Sequence, residues 1–176
     1  IDPDSRYTDV MERALYNGTM AGVSFDGTNF FYANPLASYP YVNPHEHFSG
    51  INTPRDYRRQ EWFYCPCCPP NLARTVANVG TYFTSHSADT IYLHLYNHSH
   101  INVNLPVGSV RIDQETDYPW AGDVNLTIRV EQPVTFKLAL RIPDWASDFT
   151  LEVNGKSIAA QNQRGYAVVD RQWSNG

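Results

Sequence analysis

The stretch VTFKLALRI, residues 134–142, alternates apolar and polar side chains with a period of two. That period is typical of a β-strand that turns one face toward a core. Six other short runs share the pattern and are separated by turn residues. They are TIYLHLYN, INVNL, SVRIDQE, DVNLTIRV, TLEVNG and GYAVVD. Seven such runs in succession predict an antiparallel β-sandwich over residues 88–176.

The part before residue 88 has helical rather than strand periodicity. One amphipathic helix is predicted over residues 6–21, where four apolar residues recur at helical spacing: Val10, Met11, Ala14 and Leu15. A second helix is predicted to begin immediately after Cys68, because two prolines suit a first helical turn. Its apolar face would contain Leu72, Val76, Val79 and Phe83. The chain is therefore predicted to be an α+β protein with a helical part at 1–87.

Two connecting features interrupt the helical part. An Asp-Gly turn between two short β-prone runs predicts an inserted hairpin from Val23 to Leu36. The stretch from Ala37 to Arg59 is rich in proline and polar residues and has no periodicity. A loop of that length is unusual in a compact domain unless it serves a site.

Composition excludes several classes of partner. Thirteen basic and 18 acidic residues give a formal charge of -5, which leaves no basic stripe for nucleic acid. No run approaches the roughly 20 apolar residues of a membrane span, so a soluble protein is expected. The compartment is left undetermined by the sequence, and a bacterial periplasm or cytoplasm is the favoured expectation. The 12 Tyr and 4 Trp residues suit a sugar-binding cleft, although β-sandwich cores use the same residues. The text at both ends suggests a fragment of a longer protein.

The three cysteines lie in one run, WFYCPCCPPN, residues 62–71. An odd, clustered count does not describe a disulfide framework, so metal binding or catalysis is favoured over buried bystander thiols. The partial positive charge and free N–H groups of a helix start favour thiolate over thiol. Zinc would need further ligands, and the local donors His45, Glu46 and His47 are candidates. A solvated loop, or a loop that contacts substrate, is the favoured reading of those three.

Other polar and aromatic residues are explained by packing or by solvent exposure as readily as by a functional role. Trp62 and Phe63 could shape a pocket or simply pack. Trp120 and Trp145 are expected to pack at sandwich corners rather than to form sugar platforms. Three histidines alternate along one strand region and are expected on an exposed face: His94, His98 and His100.

Several motifs together resemble glycoside hydrolase family 127 and its relative, family 146. They are RYTDVMERALYNG, SFDGTNFFYANPL, WFYCPCCPPNLAR, DYPWAGDV, LALRIPDWA and LEVNGK, in that order along nearly the whole chain. The resemblance implies the last helices of an (α/α)6 barrel followed by the β-sandwich. It also implies the removal of β-L-arabinofuranose from the non-reducing ends of an oligosaccharide or glycan.

The same resemblance implies roles for single residues. Cys67 would be the nucleophile, with zinc bound to its sulfur and to Cys68, whereas Cys65 would not be a ligand. Glu12 and Tyr32 would line the substrate pocket. The remaining zinc ligands and the acid/base carboxylate of the family precede this text, so the chain alone is expected to be inactive.

Two alternatives remain open from the residues themselves. One is a zinc-stabilised carbohydrate-binding or structural β-sandwich module without turnover. The other is a redox-responsive module built on adjacent thiols. The sequence leaves the sugar, the linkage and the oligomeric state undetermined.

Overall fold

A computed structural model describes residues 3–32, 59–63 and 65–176, which belong to two compact units. One unit is Met11–Asn78. The other combines Ile1–Val10 with Val79–Gly176. Among the described residues, every helix is too short or too polar to cross a membrane.

Two α-helices match the predicted helical segments. The first, α1, is Ser5–Arg13, and it continues as a π-helical turn over Ala14–Thr19 and a 3-10 turn over Met20–Gly22. The second, α2, is Cys68–Asn78 and is followed by a 3-10 turn at Val79–Tyr82. Both starts lie within one residue of the prediction.

The predicted apolar face of α1 is wrong. The side chains that this helix buries are polar: Ser5, Thr8, Asp9 and Glu12. Val10, which was expected on the buried face, is 63% exposed. The polar set follows helical spacing just as an apolar set would, and its burial is possible because several members have hydrogen-bond partners.

The predicted hairpin is confirmed in its turn. Val23 and Phe30 form an antiparallel bridge, and Gly27 lies between them with a φ of 74°. The carboxylate of Asp26 accepts hydrogen bonds from the Ser24 hydroxyl at 2.6 Å and from the Thr28 N–H at 3.1 Å. An Asp-Gly turn suits these requirements because Asp bonds the neighbouring backbone and Gly tolerates positive φ. The long segment predicted to follow lies almost entirely outside the described residues.

Ten strands follow α2, and each of the seven predicted runs overlaps one of them. In chain order they are β1 Thr84–His86, β2 Thr90–Leu93, β3 Ser99–Leu105, β4 Gly108–Thr116, β5 Val124–Val130, β6 Val134–Arg141, β7 Glu152–Val153, β8 Lys156–Ser157, β9 Gln161–Gln163 and β10 Tyr166–Trp173. They form a five-stranded sheet of order β1-β2-β6-β10-β9, a three-stranded sheet β3-β4-β5 and the pair β7-β8. The short strands β1, β8 and β9 were not predicted.

The expectation of purely antiparallel pairing is wrong at one place. Strand β2 pairs with β6 in parallel, with Ile91 opposite Leu138 and Leu93 opposite Leu140. The reason is topological, because β3, β4 and β5 form a separate meander between the two strands. A long connection lets the chain return to the same end of the sheet, as parallel neighbours require.

One apolar cluster draws on both larger sheets. Strands β2, β6 and β10 supply Leu93, Phe136 and Val169, whereas β4 and β5 supply Ile112 and Ile128. These side chains come from alternate positions of their strands, as the two-residue period predicted. The core that positions the surrounding loops is therefore formed between the two sheets.

A buried ion pair connects α1 with the five-stranded sheet. Arg141, at the end of β6, has no solvent exposure, and its Nη1 donates to the Asp9 carboxylate at 2.7 Å. Its carbonyl oxygen accepts a 2.6 Å hydrogen bond from the Tyr96 hydroxyl.

A backbone hydrogen bond also joins the start of α1 to the loop before β10, where the N–H of Ser5 donates to the carbonyl of Arg164 at 2.9 Å. The residue after Arg164 must be glycine, because a Cβ on Gly165 would collide with the Ser5 side chain.

A chain of hydrogen bonds runs beside this ion pair. The Thr8 hydroxyl donates to the Ser5 carbonyl, so in its 3.3 Å contact with the Tyr166 hydroxyl it must accept. Tyr166 then accepts from Nδ1 of His94 at 2.8 Å, which leaves Nε2 to accept from the Ser85 hydroxyl at 2.7 Å. The expectation that His94 is exposed is therefore wrong, although His98 and His100 are exposed as predicted.

We expect Asp9→Ala to destabilise the fold by about 3–5 kcal/mol, because it removes a carboxylate partner of a fully buried guanidinium. Urea-induced unfolding monitored by circular dichroism measures the loss. The double variant Asp9→Leu with Arg141→Met should recover most of it, since a buried pair can be replaced by apolar side chains of similar volume. A loss below about 1 kcal/mol in Asp9→Ala would contradict this role.

Stability should also depend on the protonation of His94. Burial, and then the charge of Arg141, lower the pKa of His94 below its usual 6.5. The unfolded chain therefore binds more protons than the folded chain in the window just below pH 6.5, and unfolding becomes easier as pH falls through it. We expect the free energy of unfolding to decrease from about pH 7 to about pH 5, and His94→Gln to flatten that decrease.

The matched control is His98→Gln, which removes an exposed histidine and should leave the slope unchanged. The pKa of Asp89 is lowered to about 2 by its hydrogen bond to Lys137, so its contribution is lost only at lower pH. An unaltered slope in His94→Gln would disprove the assignment.

Candidate active site

Cys67 is the residue that precedes α2, where the chain enters the helix. Its carbonyl oxygen accepts the N–H of Asn71 at 3.3 Å, which is the first hydrogen bond of the helix, so Cys67 occupies the N-cap position. The side chain is exposed, and Cys68 is partly buried. The positive end of the helix dipole therefore faces a region that contains two adjacent sulfurs.

The two prolines after Cys68 limit what the helix start can donate. Pro69 and Pro70 have no N–H, so Cys68 alone among the first three helical residues can offer a backbone donor. The expectation of several free N–H groups is thus met only in part. A second positive group, such as a metal ion, would be needed to hold two thiolates side by side.

The two sulfurs are placed so that one metal ion can reach both. Their Sγ atoms are 4.0 Å apart. Two thiolates bound tetrahedrally to one zinc ion, each at about 2.3 Å, would be separated by about 3.8 Å. Within residues 3–32, 59–63 and 65–176, no group of three or more His, Cys, Asp or Glu side chains could hold a metal. The described residues therefore fit half of a zinc site.

Tyr32 lies beside the cysteine run. The Cys68 thiol donates to the carbonyl oxygen of Tyr32 at 3.7 Å. The pKa of the Tyr32 phenol is raised, first by the neighbouring charge of Cys65 and then by that of Cys67. The structure thus brings together Tyr32 and the cysteines, and the role of Tyr32 in a substrate pocket stays a prediction.

An aromatic layer supports this arrangement. The ring of Phe63 lies 5.1 Å from that of Phe30 and 5.7 Å from that of Tyr32. Backbone hydrogen bonds of 2.9 Å in both directions join Phe30 to Gln60, which fixes the layer to the hairpin. Phe63 therefore packs, whereas Trp62 is largely exposed and is available to a ligand.

Glu12 is a buried carboxylate on α1, and the alternative of a solvated helix carboxylate is wrong. Its role in a substrate pocket stays a prediction. His45, Glu46 and His47 lie outside the described residues, so their proposed contacts with metal or substrate also stay predictions.

Asn71 is a positioning residue that the sequence analysis did not identify. Its side-chain amide donates to the carbonyl oxygen of Cys67 at 3.0 Å, and its side-chain oxygen accepts from Arg74 at 2.9 Å. These contacts fix the backbone that carries the exposed sulfur. The available signal was an Asn four residues after Cys67, at the spacing where helix neighbours meet.

We expect Asn71→Ala to lower stability by about 1 kcal/mol, because it removes a hydrogen bond at the helix start. Thermal unfolding measures this. Asn78→Ala is the matched control, since its amide makes the same type of bond, at 2.8 Å to the Arg74 carbonyl, near the other end of α2. If the Cys67 backbone depends on Asn71, the two variants should lose similar stability, but only Asn71→Ala should change the rate at which Cys67 reacts with a thiol reagent. Equal reactivity in both variants would refute this role.

Two family descriptions match the chain and together cover most of it. Residues 1–81 match "Beta-L-arabinofuranosidase, GH127 catalytic domain". Residues 90–176 match "Beta-L-arabinofuranosidase, GH127 middle domain".

Individual relatives agree with these matches. A non-reducing end β-L-arabinofuranosidase of Bifidobacterium longum is 32% identical over 96% of this chain and 26% of its own. The crystal structure of a GH127 β-L-arabinofuranosidase from Geobacillus stearothermophilus T6 is similar with a TM-score of 0.87 and 42% identity, covering 99% of this chain and 27% of that one. A second GH127 β-arabinofuranosidase structure has a TM-score of 0.78 and 31% identity, covering 98% and 27%. The chain spans about a quarter of the length of these relatives.

Proposed function

Because the chain belongs to glycoside hydrolase family 127, we propose that it carries the nucleophile of an exo-acting β-L-arabinofuranosidase. The observation that supports this most is the exposed Cys67 thiol at the start of α2, with a second sulfur 4.0 Å away. The relatives from Bifidobacterium longum and Geobacillus stearothermophilus T6 are β-L-arabinofuranosidases and align over nearly all of the chain.

In the proposed reaction, the Cys67 thiolate attacks the anomeric carbon of a terminal arabinofuranosyl residue. The departing glycan oxygen takes a proton from a carboxylic acid that lies in the part of the relatives this chain does not span. A water molecule, activated by the same carboxylate, then attacks the anomeric carbon and releases Cys67. Two displacements at one carbon retain its configuration.

Cys67 and Cys68 would hold a zinc ion, with the other ligands supplied from outside the described residues. When bound, zinc withdraws charge from the sulfur, which keeps it ionised and makes it a better leaving group in the second displacement. The need for such help follows from chemistry, because a thioglycoside is otherwise slow to hydrolyse. The two prolines in the first turn of α2, which remove amide donors, are consistent with this need.

Glu12 and Tyr32 are proposed to contact the substrate. The Tyr32 side chain is 46% exposed beside the sulfurs, so its phenol can meet sugar hydroxyls. Glu12 would accept hydrogen bonds from hydroxyls that reach its buried carboxylate.

The larger architecture is part of the same proposal. Residues 1–87 would be the end of an (α/α)6 catalytic barrel, and residues 88–176 would belong to a β-sandwich that is antiparallel except for β2 and β6. The single core shared by the two larger sheets supports the second assignment. Alone, the chain would lack the acid/base group and be inactive.

We expect Cys67→Ser in the full-length protein to lower kcat on an aryl β-L-arabinofuranoside by about 10³-fold or more, because the nucleophile is lost. Cys65→Ser is the matched control and should retain most activity, since it alters an exposed thiol of the same run. If Cys67→Ser kept its rate and lost only thermal stability, the cysteines would instead stabilise a binding or structural module.

Zinc removal provides an independent measurement. The protein as isolated should contain one zinc per chain, and a chelator should abolish activity and raise the reactivity of the thiols toward a thiol reagent. Adding zinc back should reverse both effects. Full activity in metal-free protein would rule out the zinc-assisted reaction.

A further inference from the structure

Three aromatic residues lie on the surface where two loops of the strand-rich unit meet. They are Tyr118 and Trp120, in the loop between β4 and β5, and Trp145, which follows β6. We call these three residues the aromatic platform. Trp120 is 93% exposed, so the expectation that it packs at a corner is wrong, whereas Trp145 packs on a neighbouring ring and is still 63% exposed.

The platform is held from below. The ring of Trp145 stacks on that of Tyr118 with 6.2 Å between centroids and 24° between planes. Tyr118 in turn meets Tyr96 edge to face at 5.7 Å, and the Tyr96 hydroxyl bonds the backbone of the buried Arg141. Trp145 therefore has one face against a supported ring, and a large part of its surface remains open to solvent. Trp120 follows Tyr118 by two positions, so its backbone lies within about 7 Å.

The polar groups around the platform suit a saccharide. Within the described residues, the indole N–H groups of Trp120 and Trp145 have no hydrogen-bond partner and can donate to hydroxyls. The two loops, residues 117–123 and 143–150, contain Asp117, Asp123, Asp144 and Asp148 and no Lys or Arg. Carboxylates accept hydrogen bonds from sugar hydroxyls, whereas their charge repels an anionic polymer. An open indole face can receive the apolar face of a sugar ring.

We propose that the aromatic platform is a second glycan-binding site, which holds a neutral segment of the polysaccharide whose ends are hydrolysed. This rests on the proposed function for the identity of the glycan, and it adds a site in the strand-rich unit. Neutral sugars are favoured over uronates because both loops carry only negative charge. The site would increase the residence of polymeric substrates and would leave small glycosides unaffected.

The test uses the full-length protein and the double variant Trp120→Ala with Trp145→Ala. Affinity gel electrophoresis in soluble neutral arabinan should retard the wild type, and the variant should bind about 10-fold more weakly, the loss expected when about 1.4 kcal/mol of stacking and hydrogen bonding is removed. Polygalacturonate at the same concentration should retard neither protein. Tyr82→Ala, which removes another exposed aromatic side chain, is the matched control and should bind as the wild type does.

Kinetics distinguish binding from packing. For the double variant, kcat/KM on a neutral arabinan that carries terminal β-L-arabinofuranosyl residues should fall about 10-fold, mainly through KM, while kcat/KM on a small aryl β-L-arabinofuranoside should stay within about 2-fold. When Trp145 is replaced by Phe instead of Ala in the double variant, a stacking ring is kept, and much of kcat/KM on the polymer should be restored. If kcat/KM fell equally on both substrates and the melting temperature also fell, the indole rings would pack against another segment of the polypeptide. That result would overturn the proposal.

Two further results would also overturn it: arabinan binding that survives the loss of both indoles, or a wild type that no neutral polymer retards. Failure of the proposed function would give a different experimental result. In that case the wild type would not cleave the aryl glycoside, while the binding comparison would still report on the platform.

Discussion

The buried ion pair of Asp9 and Arg141 requires that the strand-rich unit hold fixed polar partners around a charged group. A guanidinium without solvent contact is tolerated only when its charge and donors are met by fixed partners. Asp9 meets one donor, and the carbonyl of Arg141 orders Tyr96. Tyr96 then supports Tyr118 and, through it, Trp145. One residue, Arg141, therefore connects α1 through its side chain with the surface rings through its backbone carbonyl.

Much of the fold could be predicted from periodicity. Strand β6 shows why, because Phe136, Leu138 and Leu140 occupy alternate positions and all reach the core. Strands β8 and β9 could not be found in the same way, since residues 156–157 and 161–163 are exposed and gain their structure from backbone pairing alone. The parallel partner of β2 was also beyond reach, because side-chain alternation is the same in parallel and antiparallel pairs.

The face of α1 shows a different limit of sequence reasoning. Spacing alone favoured Val10 as a buried residue, yet Asp9 is buried instead because a guanidinium 132 positions away is there to meet it. Local pattern cannot contain that information. At the candidate site, by contrast, the position of the cysteine run at the start of α2 was predicted directly from the amino-acid sequence. What the text did not reveal was the bond from Asn71 to Cys67, which depends on the orientation of one amide.

The separation of Asp9 from Arg141 also has a consequence during translation. The ribosome delivers the cysteine run well before it delivers the arginine, by an interval of roughly 4–15 s at about 5–20 residues per second. Over that time the carboxylate of Asp9 lacks Arg141, its buried partner in the folded chain. The cysteine run and α2 are thus synthesised before strands β6 and β10, so the core of the strand-rich unit can close only after both are complete.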